Sequence, residues 1–252
     1  MRHDFIVRTN LIVLILCCWP VAQLRADPPL LLRVIRNAPA AGPGQLYAGA
    51  GAGVNVLGMR VVAGVGETWL VEMHDSFASI EAVDQSLAGA RPAQYSVPGD
   101  VLAPARLLIA AYRPGLSYRA DEAVKSLPRA RYLLVSTYRI EPGNEAGFAE
   151  IVKLRRSLND SINLDRPEIA YEVVAGAISR TYIFVTPFST LKTLDDGLVR
   201  TPPYADGVRD ASKKAAAGTE ISQERTILRI DPNLSYVSDE FASGDPAFWK
   251  PK

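Results

Sequence analysis

Apolar positions along this chain follow two rhythms, and the whole pattern comes round twice. Residues 30–35 (LLLRVI) form a short apolar run of strand length. Residues 54–63 and 68–73 read as two further strands, joined by a turn at Gly64-Val65-Gly66-Glu67. Ser79 is placed to cap a helix through Leu87, with Ile80, Val83 and Leu87 on one face. Residues 107–112 (LLIAAY) are a fourth strand. The second round begins with a strand at 132–140 that stops at Pro142-Gly143. A 3.6-residue rhythm follows over 144–162, with Phe148, Ile151, Val152, Leu158 and Ile162 on one side. Strands are expected at 169–175, 181–186 and 225–230, and a helix capped by Thr190 after the second of these. The order β-α-β-β-α-β is that of a ferredoxin-like split βαβ unit.

The two rounds share residues as well as rhythm. VVAG at 61–64 returns at 173–176, and Thr68-Trp69 returns as Thr181-Tyr182. Phe77 and Asp84 answer to Phe188 and Asp195, and PGLSY at 114–118 answers to PNLSY at 232–236. The period is that of a small domain, not of a solenoid. The expected organisation is a leader at 1–26, a first unit at 27–119, a linker at 120–130, a second unit at 131–237 and a tail clasp at 238–252. The first round is shorter between Pro43 and Val61 than the second between Pro142 and Val173. It lacks about three and a half turns of its first helix. The bared sheet face is expected either to open as a ligand cleft or to be covered by the other unit or the tail.

Composition changes the picture mainly at the N-terminus. Arg2 and Arg8 precede an apolar run at 11–19, Pro20 breaks it, and Ala26 supplies a small residue. That is the layout of a secretory signal, so an exported, periplasmic or extracellular protein is expected. The run falls short of the roughly 20 residues of a membrane span, and an uncleaved anchor is the alternative. Both cysteines lie in this segment, and His74 is the one histidine beyond it. The chain's 28 basic and 27 acidic residues nearly balance, which leaves no basic excess for nucleic acid or an anionic membrane.

The strand ending YRIEPG, the VVAG–TYIFVTP hairpin and the FSTLKTLDD helix together resemble the dimeric α/β-barrel superfamily, which includes antibiotic-biosynthesis-type monooxygenases and NIPSNAP-like proteins. More narrowly, the LSYR junction at 116–119 and the tail at 234–252 are similar to uncharacterised exported bacterial proteins with two such units in tandem. The resemblance implies an α+β fold in which the two units close into one eight-stranded barrel, a pseudo-dimer within a single chain. It also implies a range of activities: cofactor-free oxidation of polycyclic phenols, haem binding, and lactone isomerisation.

His74 is the residue most suited to proton transfer near neutral pH, and it stands at the end of the third strand. Its neighbours Asp75 and Ser76 are too close in sequence to form a triad with it. Trp69, Tyr138, Tyr171 and Tyr182 lie on strands and are the candidate pocket residues, either stacking on an aromatic ligand or simply packing the core. No metal or other cofactor is expected: Asp195 and Asp196, as helix neighbours, point about 100° apart. The absence of an evident acid–base set favours a non-catalytic binding or interaction protein for a small apolar or aromatic ligand. The alternatives are a cofactor-independent monooxygenase or isomerase acting on a small aromatic or lactone substrate, and haem binding through His74. The catalytic alternative expects an enclosed apolar pocket with His74 or a tyrosine pointing into it, and in that form it fails if the barrel interior is filled with Val, Leu and Ile.

Overall fold

The computed structural model describes residues 27–38, 47–48, 53–90, 106–161, 164, 166–199 and 221–250. The leader expected at 1–26 and most of the Ala/Gly/Pro-rich stretch at 37–53 lie outside the described residues. In chain order the elements are β1 (Leu31–Arg36), β2 (Asn55–Ala63), β3 (Thr68–His74), α1 (Phe77–Ala90), β4 (Arg106–Tyr112) and α2 (Ala120–Ser126). Then come β5 (Tyr132–Ile140), α3 (Glu145–Ser161), β6 (Ile169–Ala175), β7 (Thr181–Phe188), α4 (Lys192–Val199) and β8 (Ile221–Ile230), with short tail helices α5 (Asp239–Ala242) and α6 (Pro246–Trp249). Among the described residues between β1 and β2, helix is confined to 47–48. Residues 120–129, read from the sequence as a linker, form α2 and a 3-10 turn. No described helix is long and apolar enough to cross a membrane.

The strands close into one antiparallel barrel in the order β1-β3-β2-β8-β5-β7-β6-β4. The β2–β8 and β4–β6 pairings join the first four strands to the last four, and each carries a register irregularity that bends its strand. Alternation along each strand sends one set of side chains inward. From β3 these are Trp69, Val71 and Met73, and from β1 Leu32 and Val34. Leu57, Met59, Leu133, Val135, Ile169, Tyr171, Ile183, Leu228 and Ile230 complete the interior. The interior is thus an apolar core, which closes the barrel lumen as a substrate chamber. Two of the expected pocket residues, Trp69 and Tyr171, are part of that packing.

The repeated Leu-Ser-Tyr segments interlock the barrel. After β4, Ser117 Oγ accepts from the Ala170 N–H of β6 (2.9 Å), and Tyr118 forms an isolated bridge with Glu168. After β8, Ser235 Oγ accepts from the Gly58 N–H of β2 (2.9 Å), and Tyr236 bridges to Val56. Each hydroxyl donates back to its own strand end, Ser117 to Arg113 O and Ser235 to Asp231 O. The serines and the tyrosine backbones therefore tie these turns down. The Tyr118 hydroxyl adds a bond of its own, donating to Asp160 (2.8 Å). Ser117→Ala strands the buried Ala170 amide and should cost about 1–3 kcal/mol, read as a shift of the urea midpoint. Gly58 admits no side chain, because a Cβ there would lie 2.3 Å from Leu234 Cβ and 2.4 Å from Leu234 O. Gly58→Ala should lower stability by about 1–3 kcal/mol in a thermal melt, as overpacking does.

The tail covers one end of the barrel beside α2. Trp249 donates its indole N–H to Pro128 O (2.7 Å) and packs edge-on against Phe241 and Phe248. Arg131 stacks on Phe248 and pairs with Asp245.

Candidate functional site

The outward faces of the barrel carry two different side-chain sets. On the β5–β7 side, Tyr182 and Phe184 pack with Phe148 of α3, ring centroids 5.0 and 6.2 Å away, and with Ile140, Val152 and Ala170. Tyr138 joins them, 5.2 Å from Phe184. Its hydroxyl accepts from Arg155 (3.0 Å) and donates to the Gln223 amide oxygen, which also accepts from Arg225. Arg155 further pairs with Glu168, where burial outweighs the nearby arginine charge and raises the carboxyl pKa. Tyr138 and Tyr182 are thus packing groups under a full helix.

On the β1–β3 side, where that helix has no counterpart among the described residues, the outward face is polar and buried. Antiparallel register sets Arg33 of β1 directly opposite Glu72 of β3. Two residues on, the same face of β3 carries His74. Arg33 grips Glu72 with a two-pronged contact, Nε to Oε2 at 2.7 Å and Nη2 to Oε1 at 3.0 Å. Tyr47 donates its hydroxyl to Glu72 Oε1, and His74 Nε2 lies 2.8 Å from Oε2. Four donors fill the carboxylate's roughly four acceptor positions. The Glu72 and His74 side chains are wholly buried, and Tyr47 is 3% and Arg33 7% exposed. The third prong of Arg33 reaches Asp84 of α1 (2.6 Å), so the helix is tied to the cluster. Apolar neighbours Leu70, Val54, Val56 and Val83 adjoin it.

Burial alone would raise the Glu72 pKa, but the hydrogen bonds from His74, Arg33 and Tyr47 and the arginine charge outweigh it and hold it below the usual carboxylate range. The Tyr47 phenol moves the other way, pushed far up by burial and by the Glu72 charge, and stays neutral. An ionised Glu72 accepts only, so His74 Nε2 carries a proton and donates it. The other ring nitrogen, Nδ1, faces Ser79 Oγ at 3.0 Å. The one hydroxyl proton of Ser79 has two acceptors in reach, Nδ1 and Ser76 O (2.8 Å). Ser79 is half-buried in the first turn of α1, whose cap is Ser76, not Ser79 as the sequence suggested (Ser79 N to Ser76 Oγ, 3.1 Å). The chain therefore holds a buried carboxylate–imidazole pair, with Nε2 on Glu72 and Nδ1 turned to the half-buried Ser79.

The five residues proposed from sequence do not converge. Trp69 and Tyr171 are inside the barrel, Tyr138 and Tyr182 are outside it under α3, and His74 is outside it under α1. His74 does not point into an enclosed apolar pocket. Its actual partners, Glu72, Arg33 and Tyr47, were missed. The spacing Glu72-x-His74 on a strand was the available signal, since residues two apart share a face. Of the two ring nitrogens of His74, Nε2 lies against Glu72 and Nδ1 against Ser79, so an iron atom or a substrate proton would reach the ring only by displacing the Ser79 hydroxyl from Nδ1. Among the described residues no group of three or more His, Cys, Asp or Glu is placed to hold a metal ion.

No protein-family profile matches the chain, and no curated protein sequence does. Solved structures do match in fold. An anthrone oxidase-like protein superimposes with a TM-score of 0.52 at 11% identity, over 82% of this chain and 94% of its own. A candidate monooxygenase from Lactobacillus acidophilus NCFM gives 0.48 at 7% identity, over 82% and 95%. A heme-binding protein from Thermus thermophilus gives 0.43 at 8% identity, over 79% and 90%. The chain is an α+β protein with one closed eight-stranded barrel, a fold of the dimeric α/β-barrel type that it shares with the anthrone oxidase-like protein. The expectation of a non-catalytic protein is corrected at this point. It rested on the lack of any candidate acid–base pair, whereas the structure sets Glu72 against His74, and the fold is shared with an anthrone oxidase-like protein.

Proposed function

We propose that this chain is an exported enzyme that oxidises a small aromatic substrate with dioxygen and without a bound cofactor. The observation that carries the proposal is the buried Glu72–His74 pair, held by Arg33 and Tyr47 on a face that the second half of the barrel fills with aromatic packing. Perturbed, buried ionisable groups of this kind concentrate at functional sites, because an apolar core needs no such network. The name of the anthrone oxidase-like neighbour supports the reaction class. The architecture we infer is two ferredoxin-like units, 27–119 and 131–237, behind a leader at 1–26.

The chemistry needs one base. His74 Nδ1 removes a proton from an acidic ring methylene, taking the place of the Ser79 hydroxyl as its partner. The resulting carbanion passes an electron to dioxygen, the radical pair combines, and the hydroperoxide loses water. The balance is CH2 plus O2 to C=O plus H2O, with no further reductant. Glu72 keeps the imidazole proton on Nε2 and stabilises the imidazolium formed during the step, and Arg33 and Tyr47 keep Glu72 ionised. Glu72 is thus a positioning residue.

Oxygen uptake with anthrone as probe, in chelator-treated buffer, tests the reading. Uptake by wild type that is lost in His74→Ala supports it. No uptake across a panel of anthrones and polyhydroxylated aromatics sinks it. Turnover of an unsaturated lactone without oxygen uptake would replace it with isomerisation, which needs the same proton abstraction but no oxidant.

A further inference from the structure

The barrel core is not filled to the last atom. A void of about 40 Å³ remains between Leu57, Met59, Val71, Met73, Tyr171 and Val185. One water needs roughly 10–15 Å³ of such space, so two or three would fit by size. They would not be held there. A buried water needs two to four polar partners, and the lining residues offer only the Trp69 indole N–H, already given to Glu67, and the Tyr171 hydroxyl. Burial pushes its pKa far up, with the nearby Tyr112 adding to the effect, so it offers no charge either. An apolar void of this kind stays dry and takes up apolar guests.

The void also has an approach. A cleft of about 430 Å³ opens at the end of β3 beside the tail, lined by Asn55, Asp75, Lys125 and Phe241. Pro29, Met73 and Leu127 line both the cleft and the void. Of these, Met73 is the unbranched, half-buried side chain with three rotatable bonds, the type that moves aside with least cost.

We propose that the barrel core is a binding site for a small, uncharged, apolar molecule of the size of dioxygen or xenon, entered from the cleft past Met73. Two features of the strands create it. The β3 alternation that turns Glu72 and His74 outward turns Val71 and Met73 inward, so the void and the His74 cluster lie on opposite faces of one strand. The mixture of Val, Leu and Met facing Tyr171 leaves the gap of about 40 Å³ unfilled. The site does not depend on the oxidase reading. If that reading holds, dioxygen is the guest that matters, stored one strand's thickness from the base.

Xenon is the probe. Crystals of the full chain pressurised with xenon should show one atom between Val71, Tyr171 and Val185, and 129Xe in solution should give a protein-dependent shift. Val185→Leu fills the void. It should melt no lower than wild type and lose the shift. Met73→Phe narrows the entrance and should slow xenon exchange without abolishing binding. Xenon found only on the surface, or a shift unchanged in Val185→Leu, overturns the inference. The wild-type crystal decides the matter even if a variant fails to fold. Xenon uptake by a protein inert toward every aromatic would leave this inference standing and sink the oxidase. An active oxidase with no xenon in its barrel would do the reverse.

Discussion

A Glu72→Ala protein is expected to melt about 6–20 °C below wild type. Removing one partner of a buried ion pair costs about 3–5 kcal/mol, because the other charge stays behind uncompensated, and a chain of this length loses about 2–4 °C per kcal/mol. Here the loss strands more than one group. Arg33 keeps Asp84 but loses both contacts with Glu72, and Tyr47 and His74 Nε2 are left facing nothing. The same reasoning predicts a rescue. Replacing Arg33 by Met, Glu72 by Leu and Tyr47 by Phe together should recover most of the lost stability, since a well-packed apolar set matches or exceeds a buried ion pair. The pH dependence has a definite sign. The Glu72 pKa is depressed in the folded state, so its stabilisation is complete above the ordinary carboxylate range and is lost as pH falls through the lower folded value. The gap between wild type and Glu72→Gln in urea midpoint should therefore be widest near neutrality and should close in acid. A Glu72→Ala melt equal to wild type would show that the cluster is not built as described.

The barrel and the site were legible in the sequence to different depths. The strands and α3 could be read because their periodicities are strong: Phe148 and Val152 fall on the buried face of α3, as their spacing requires. The direction of each strand side chain could not be read. Strands β3 and β7 are buried along most of both faces, so the usual apolar/polar alternation is blurred there. That is why Trp69 and Tyr182, matched residues of the repeat, looked alike and yet face opposite ways. Tyr47 was beyond reach for another reason. It sits in a stretch of Ala, Gly and Pro without periodicity, and its partner Glu72 is a contact across 25 residues. Arg33 in LLLRVI and Glu72 in WLVEMH were visible as lone charges in apolar strands. Their opposite signs were the clue that they pair, since a lone buried charge is not stable.

Replacing His74 by Ala is expected to lower turnover about 10²–10⁴-fold, the usual contribution of a general base, while KM for the aromatic changes little. The variant should also stay folded, and this separates it from the loss of Glu72. His74 supplies one of the four donors to Glu72, and Arg33 and Tyr47 retain the other three, so the carboxylate keeps its charge and its place. The expected stability loss is about 1–3 kcal/mol, below that of Glu72→Ala. The space left by the ring lies between Glu72 and Ser79 and is shaped for an imidazole. Added imidazole should therefore restore part of the activity to His74→Ala, and none to Glu72→Ala, whose remaining imidazole has lost its orienting acceptor. Rescue that grows with the free-base fraction of imidazole would mark proton abstraction as the rescued step. A His74→Ala protein with full turnover would move the chemistry off this face of the barrel, whatever its melting temperature.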